Sequence, residues 1–301
     1  MKKNKQENLL DLDPQTLKNK EYTEIDNGLA RHHDDIHKIK LDNKIYYVKS
    51  LDVKNAIATT ASAKMYSEIG INTPKIQVFK DKTDAKNQRS IIQPDVMQLP
   101  NIEAILAKED VEYKKIFPKF NLRYKWEIFY DMNVRKQFLK FMTKDCLESL
   151  LNIYLIDELR SDIDRHTSNY FLYKTSKSNL YEGVIAIDLD QMQIYNYSPT
   201  KREEFSAFVA SPYTSITPTQ KEDHLSYMNR IHMLRELIDD GVMSSYNIET
   251  MVKALKHDFP KEVKILCKKQ KLSHKLTNET YSPIARLWEY NQQQLGKDLG
   301  L

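Results

Sequence analysis

Glycine is scarce in this chain: six residues in 301, and nowhere a glycine-rich loop. A glycine cradle that wraps phosphates with backbone N–H groups is therefore excluded. Cysteine is scarcer still. Cys146 and Cys267 stand alone, each in a helix-like pattern, with no CxxC and no nearby His. That excludes a disulfide framework and a zinc knuckle, and it fits a reduced, cytosol-type compartment. No window approaches the roughly 18 consecutive apolar residues of a membrane span, and "MKKNKQENLLDLDPQ" lacks the apolar run of a signal peptide. A soluble chain is expected. No repeat occurs at a period of 20 to 50 residues, and no low-complexity linker divides the chain. Charge of one sign is also missing in bulk, with a net charge of only +4. The eighteen tyrosines come without an RNA-binding signature, so nucleic acid is not an expected partner.

What is present is enough to bury a large core, with 41% hydrophobic residues in a chain of this length. Residues 1–20 are polar and read as a flexible N-terminus. "HKIKLDNKIYYVKSL" (37–51) alternates as a hairpin does, with "LDNK" as its turn. "KNAIATTASAKMYSEIG" (54–70) predicts a helix, with Ile57, Ala61, Met65 and Ile69 on one stripe and Gly70 as its C-terminal cap. "TPKIQVFKD" and "RSIIQPDVM" follow as short strands. Beyond residue 100 the pattern turns helical. Its longest amphipathic stretch is "VRKQFLKFMTKDCLESLLNIYLIDELR" (134–160), and "YFLYK" and "GVIAIDLD" form a β-like pair after it. The expected fold class is α+β: a small β-rich lobe with one helix at 21–100, then a larger helical lobe at 101–301 that carries a hairpin.

Between the long helical pattern and that pair lies "SDIDRHTSNYFLY" (161–173), which packs Asp162, Asp164, Arg165, His166 and Asn169 into eight positions. Ionisable groups between two apolar segments need a partner, water or a metal. Phosphoryl transfer from ATP needs such a set: a carboxylate at the attacking hydroxyl, hard oxygen ligands for a divalent ion, and a lysine on the phosphates. Asp164 and Asn169 stand five apart, Asp188 closes "GVIAID" nineteen residues later, and Lys49 ends the β-like "IYYVK". An isolated Asp-x-x-x-x-Asn arises by chance, and an isolated Asp after a helix usually caps a turn. The signal is the order of the four, each in the right kind of element.

"DRHTSN" (164–169) resembles the DRHxxN catalytic loop of phosphatidylinositol 3- and 4-kinases and related atypical protein kinases. "AIDLDQ" (186–191) sits where that group has its Asp-containing metal motif, and "ASAKMYSEIGINTPKIQVF" (61–79) resembles the small-lobe helix and strand of HipA-type serine/threonine kinases. The resemblance implies a bilobal protein kinase-like fold with a catalytic loop at 162–170 and a metal motif at 186–191. It implies Asp164 as catalytic Asp assisted by His166, and Lys49 as the phosphate lysine. Asn169 and Asp188 become ligands for Mg²⁺ or Mn²⁺, and "IIQPDVM" (91–97) becomes the lobe-connecting hinge, where Gln93, Asp95 and Val96 meet ATP. The chain departs from the pattern in three places. Gly28 is the only glycine upstream of Lys49. Asp190 stands where a kinase usually has Gly, and adds a carboxylate to the metal set. Glu68 falls late in its helix, whereas HipA-type kinases carry the partner of the lysine nearer the start, where this chain has Thr59 and Thr60.

Two basic clusters complete the reading. The one from Lys253 to Lys275 reads as solvated helix faces. The other includes Lys114, Lys115, Lys119, Arg123, Lys125, Arg135 and Lys136, and interleaves bulky apolar residues in "YKKIFPKFNLRYKW". Converging Lys and Arg side chains suit a phosphate-rich ligand. In its Gly-poor, Lys/Asn/Ile-rich character the chain resembles secreted bacterial effector kinases that host inositol hexakisphosphate activates. That resemblance implies an inositol polyphosphate at this cluster and delivery into a host cytosol. The expected function is an atypical ATP-dependent kinase acting on protein Ser/Thr hydroxyls. The alternatives are an AMP transferase or a lipid kinase on the same fold, and a catalytically silent pseudokinase scaffold.

Overall fold

The computed structural model describes residues 23–25, 36–41, 43–81, 84–116, 132–160, 167–190 and 244–298. Alternation dictates the first sheet. In β2 (Ile36–Leu41), Ile39 and Leu41 turn inward, and in β3 (Lys44–Asp52) Tyr46 does the same. Asn43 makes the tight turn between them in the left-handed region, at φ 61°, a conformation its short polar side chain tolerates. β1 (Thr23–Ile25) extends one side of the hairpin. β5 (Gln88–Pro94) pairs with the other side, and β4 (Gln77–Phe79) pairs with β5. The result is an antiparallel sheet in the order β1-β2-β3-β5-β4.

Helix α1 (Val53–Ile69) starts where the Asp52 carboxylate accepts from the N–H groups of Lys54 and Asn55, at 2.9 and 3.1 Å. It stops at Gly70, whose φ of 94° is the left-handed cap that glycine adopts without a Cβ penalty. The expected stripe of Ile57, Ala61, Met65 and Ile69 is buried, and so are Ala56, Ala58, Ser62 and Ala63 around it. The small side chains let the helix be enclosed. The sheet covers one side, and α5 (Ser245–Lys256) and α6 (Phe259–Lys269) cover another.

Past Pro94 a single 3₁₀ turn (Val96–Gln98) leads to β6 (Ile102–Leu106). This strand departs from the expected helical remainder. It pairs with β7 (Tyr170–Thr175), which pairs with β8 (Gly183–Ala186), so the expected hairpin is a three-stranded sheet. "IEAIL" carries no clear alternation, and it is a strand because β7 offers it an edge.

The amphipathic stretch 134–160 is also interrupted. α2 (Val111–Ile116) and α3 (Met132–Phe138) pack together, and α4 (Lys144–Arg160) begins after a break. At the break, Thr143 N–H donates to the Tyr181 carbonyl (2.8 Å), and Tyr181 N–H donates to that of Phe141 (2.9 Å). The Thr143 hydroxyl then accepts from Cys146 N–H and caps α4. Fully buried α4 residues such as Leu150, Ile153 and Ile156 form the centre of the core. α7 (His274–Asp298) brings Trp288 against Phe259, with ring centroids 4.9 Å apart.

One close approach fixes β8 against β7. Gly183 lies opposite Tyr173, and a Cβ there would fall 2.4 Å from the Tyr173 hydroxyl. That hydroxyl accepts from the Asn72 amide at 3.1 Å, while the Asn72 carbonyl accepts from Ala186 N–H at 2.9 Å. Gly183→Ala should therefore displace the Tyr173 ring and cost about 1–3 kcal/mol, read as a lowered midpoint in urea denaturation. An unchanged midpoint would mean that the ring moves freely.

Candidate active site

Strand β3 delivers Lys49 near its end, in register with Ile36 of β2 and Ile91 of β5. Its ammonium meets two carboxylates from the segment that follows β8: Asp190 Oδ2 at 2.5 Å and Asp188 Oδ1 at 3.3 Å. The carboxylates differ in setting. Asp188 is 40% exposed and its backbone takes the left-handed region at φ 54°, whereas the Asp190 side chain is only 3% exposed. Burial pushes the Asp190 carboxyl above its ordinary range and the neighbouring Asp188 charge adds to this, outweighing the opposite pull of Lys49. For Lys49, burial alone acts downward. Attraction and hydrogen bonds to Asp188 and Asp190 together overcome it, and the ammonium is held more firmly protonated than usual.

Asn169 is brought beside this pair by backbone pairing. Its carbonyl accepts from Ile187 N–H at 3.0 Å, one residue before Asp188, and its side chain is buried. The chain around it is anchored from the other side, where Ala107 and Lys108, just past β6, donate to the carbonyls of Tyr170 and Thr167. The three-stranded sheet thus places 167–170 and 187–190 side by side. Asp164 and His166, which follow α4 in sequence, lie outside the described residues, and so does Gly28 between β1 and β2.

Glu68 does not serve Lys49. Its carboxylate sits 2.7 Å from His257 Nε2 and 3.8 Å from Lys64 Nζ, near the far end of α1. The hinge region is equally specific. Asp95 N–H donates to the Ile45 carbonyl (3.0 Å), and its carboxylate accepts from Met97 N–H (3.0 Å) and pairs with Lys38 (3.3 Å). The Asp95 side chain is thereby committed inside the protein. Gln93 is in register with Tyr47 on β3, and β4 stops at the level of Ile92. Val96, just past the strand, opens the 3₁₀ turn and is buried.

A residue that sequence reasoning missed holds the loop in place. Arg160, at the end of α4, has no solvent exposure. Its guanidinium donates to the Leu189 carbonyl at 2.8 Å, between the two aspartates, and to the Tyr66 hydroxyl at 3.2 Å. Asp157 lies 3.4 Å from it and accepts the Tyr66 hydroxyl hydrogen. A sequence signal existed, because Arg and Asp three apart on a helix whose neighbours are apolar have to be paired.

Four of the seven residues of the first basic cluster are described. Lys114 and Lys115 stand on α2, with Lys115 paired to Glu112 at 2.6 Å, and Arg135 and Lys136 stand on the adjoining α3. Lys119, Arg123 and Lys125 lie outside the described residues. Among the described residues, no three His, Cys, Asp or Glu side chains cluster as a metal site. No helix of the described residues is long and apolar enough to cross a membrane.

No protein-family model matches this chain, and no curated protein matches it. Solved structures do. The proinflammatory kinase CtkA of Helicobacter pylori superposes with a TM-score of 0.50 at 12% identity, over 89% of this chain and 95% of that one. A structure of the HipA–HipB toxin–antitoxin system of Shewanella oneidensis with its operator DNA superposes with a TM-score of 0.51 at 12% identity, over 89% of this chain and 63% of that one. The fold matches the kinase-like fold of these two structures. At this identity the likeness is one of architecture: an antiparallel sheet region followed by a helical region, as expected from the sequence. Within this fold, Arg160 ties α1, α4 and the 188–190 loop together. Arg160→Met should leave the buried Asp157 without its charge partner and cost about 3–5 kcal/mol, measured by thermal and urea denaturation. A melting temperature equal to that of the wild type would show that the ion pair is not what holds this junction.

Proposed function

We propose that the chain is an atypical ATP-dependent kinase that transfers the γ-phosphoryl group to a protein Ser or Thr hydroxyl. The observation that carries this reading is the meeting of Lys49 with Asp188 across a separation of 139 residues. A strand-end lysine and a carboxylate after a later strand have no structural need for each other, and together they form the phosphate and metal ends of a nucleotide site. The fold shared with CtkA, described as a kinase, supports the same reading.

The residues fit a divalent ion. Asn169, Asp188 and Asp190 offer only oxygen donors in a site that is partly open at Asp188, which suits Mg²⁺ or Mn²⁺. One oxygen of Asp190 is enclosed with no hydrogen-bond partner among the described residues, a state that costs free energy unless something satisfies it. Asn169 and Asp188 would hold the ion, which when bound neutralises charge on the phosphates. Lys49 would turn its free donors to the phosphate oxygens. Asp164, assisted by His166, would orient the acceptor hydroxyl and take its proton. The backbone around Gln93 and Val96, where β5 leaves the sheet, would meet the adenine. Asp95 supports the hinge instead of touching nucleotide.

The deciding experiment is label transfer from ATP to protein with Mg²⁺ or Mn²⁺. Transfer from γ-labelled ATP should occur and fall by about 10²-fold or more in Lys49→Met, Asp164→Ala and Asp188→Ala, because the first and last remove charge stabilisation at the transferring group and the second removes the proton acceptor. Transfer from α-labelled ATP would mean AMP transfer, and label in lipid would mean a lipid kinase. Absence of both transfer and ATP binding would leave a scaffold.

The basic residues Lys114, Arg135 and Lys136, together with those between α2 and α3 in sequence, support a phosphate-rich activator. Inositol hexakisphosphate should raise the melting temperature by several degrees and stimulate transfer. An unchanged melting temperature at saturating ligand would dismiss that regulator and leave the kinase reading intact.

A further inference from the structure

We infer that Asp190 is the positioning residue for Lys49, so that the lysine's carboxylate partner comes from the metal loop and not from the helix beside the sheet. The inference rests on the kinase reading above and assigns Asp190 a task different from that of a metal ligand.

Three observations carry it. The shorter of the two Lys49 contacts is to Asp190, at 2.5 Å against 3.3 Å for Asp188. Asp190 is enclosed and Asp188 is open, so a nucleotide and its ion arriving from solvent reach Asp188 first. Once Asp188 is engaged with an ion, Asp190 is the carboxylate left to hold the lysine. The second observation concerns α1. Its one acidic residue, Glu68, is committed to His257 and Lys64. The helix is also pinned where it stands, by Lys64 to Glu262 of α6 at 2.5 Å and by Tyr66 to Asp157 and Arg160 of α4. It has no carboxylate to swing toward Lys49.

The third observation is the seating of the loop. Leu189 is fully buried, and its carbonyl accepts from Arg160 at 2.8 Å. The residue before Asp190 is therefore held on both its apolar and its polar side. A carboxylate so fixed can localise the flexible four-carbon stem of a lysine. The ammonium has three donors, and one bond to Asp190 leaves two for phosphate oxygens. A glycine at position 190 would offer Lys49 nothing, which gives the exchange of Gly for Asp in this motif a physical purpose.

The test is a double-mutant cycle on the full chain, with label transfer read against both ATP and metal concentration. Asp190→Ala should lower kcat about tenfold or more and raise KM for ATP, and Asp190→Asn, whose amide oxygen still accepts from Lys49, should recover part of the loss. The Lys49→Met/Asp190→Ala double variant should be no worse than Lys49→Met alone, as expected for two residues acting as one unit. The metal concentration for half-maximal activity should stay at its wild-type value in Asp190→Asn. Multiplicative losses in the double variant would overturn the inference, as would a metal requirement raised about tenfold in Asp190→Asn, which would make Asp190 a ligand. In both cases the kinase reading survives, because the wild type still transfers label. A wild type that neither transfers label nor binds ATP would remove that reading, and this inference with it. Should Asp190→Ala fail to fold, Asp190→Asn supplies both comparisons.

Discussion

A guanidinium with no contact to water must be matched by protein groups or the fold cannot contain it. Arg160 is such a group, and much of the architecture follows from how it is matched. Asp157 supplies the charge, Tyr66 supplies a hydroxyl and the face of its ring, and Leu189 supplies a carbonyl. These three partners belong to α4, to the helix behind the first sheet and to the loop after β8. One buried cation therefore sets the distance between the two halves of the molecule at the level of the site.

Around that junction the small-residue helix α1 acts as a shared wall. Its alanines bring it close to the first sheet, and Lys64, Glu68 and Gly70 lie toward the carboxy-terminal helices and the second sheet. A helix held on so many sides cannot rotate to deliver or withdraw a carboxylate. The electrostatics of the candidate site are then local to one loop. A lysine and two aspartates two residues apart balance one another, with the buried aspartate raised and the lysine held protonated. The open aspartate is the member of the set that a ligand can engage without breaking the core.

Several parts of this were legible in the sequence because they depend on local rules. The turn at "LDNK", the Gly70 cap and the inward stripe of α1 follow from short-range stereochemistry. Lys49 and Asp188 stood out in the sequence as members of one set, and in the fold they meet. Other parts were not legible. β6 lacks a clear period and exists because β7 presents an edge. The helical pattern of 134–160 breaks where Tyr181, nearly forty residues on, takes the backbone bonds of Phe141 and Thr143. Glu68 falls late in its helix, and its partners are His257, just past α5, and Lys64 of its own helix.

The sequence by itself determined the α+β class, the hairpin that carries Lys49 and the helix behind it. Those features need only neighbours within a few positions. Tertiary structure decided which carboxylates meet Lys49, that Asp190 is enclosed while Asp188 is open, and that Arg160 grips the loop between them. Burial and ion pairing over such separations depend on how whole elements pack, and no spacing along the chain encodes that packing.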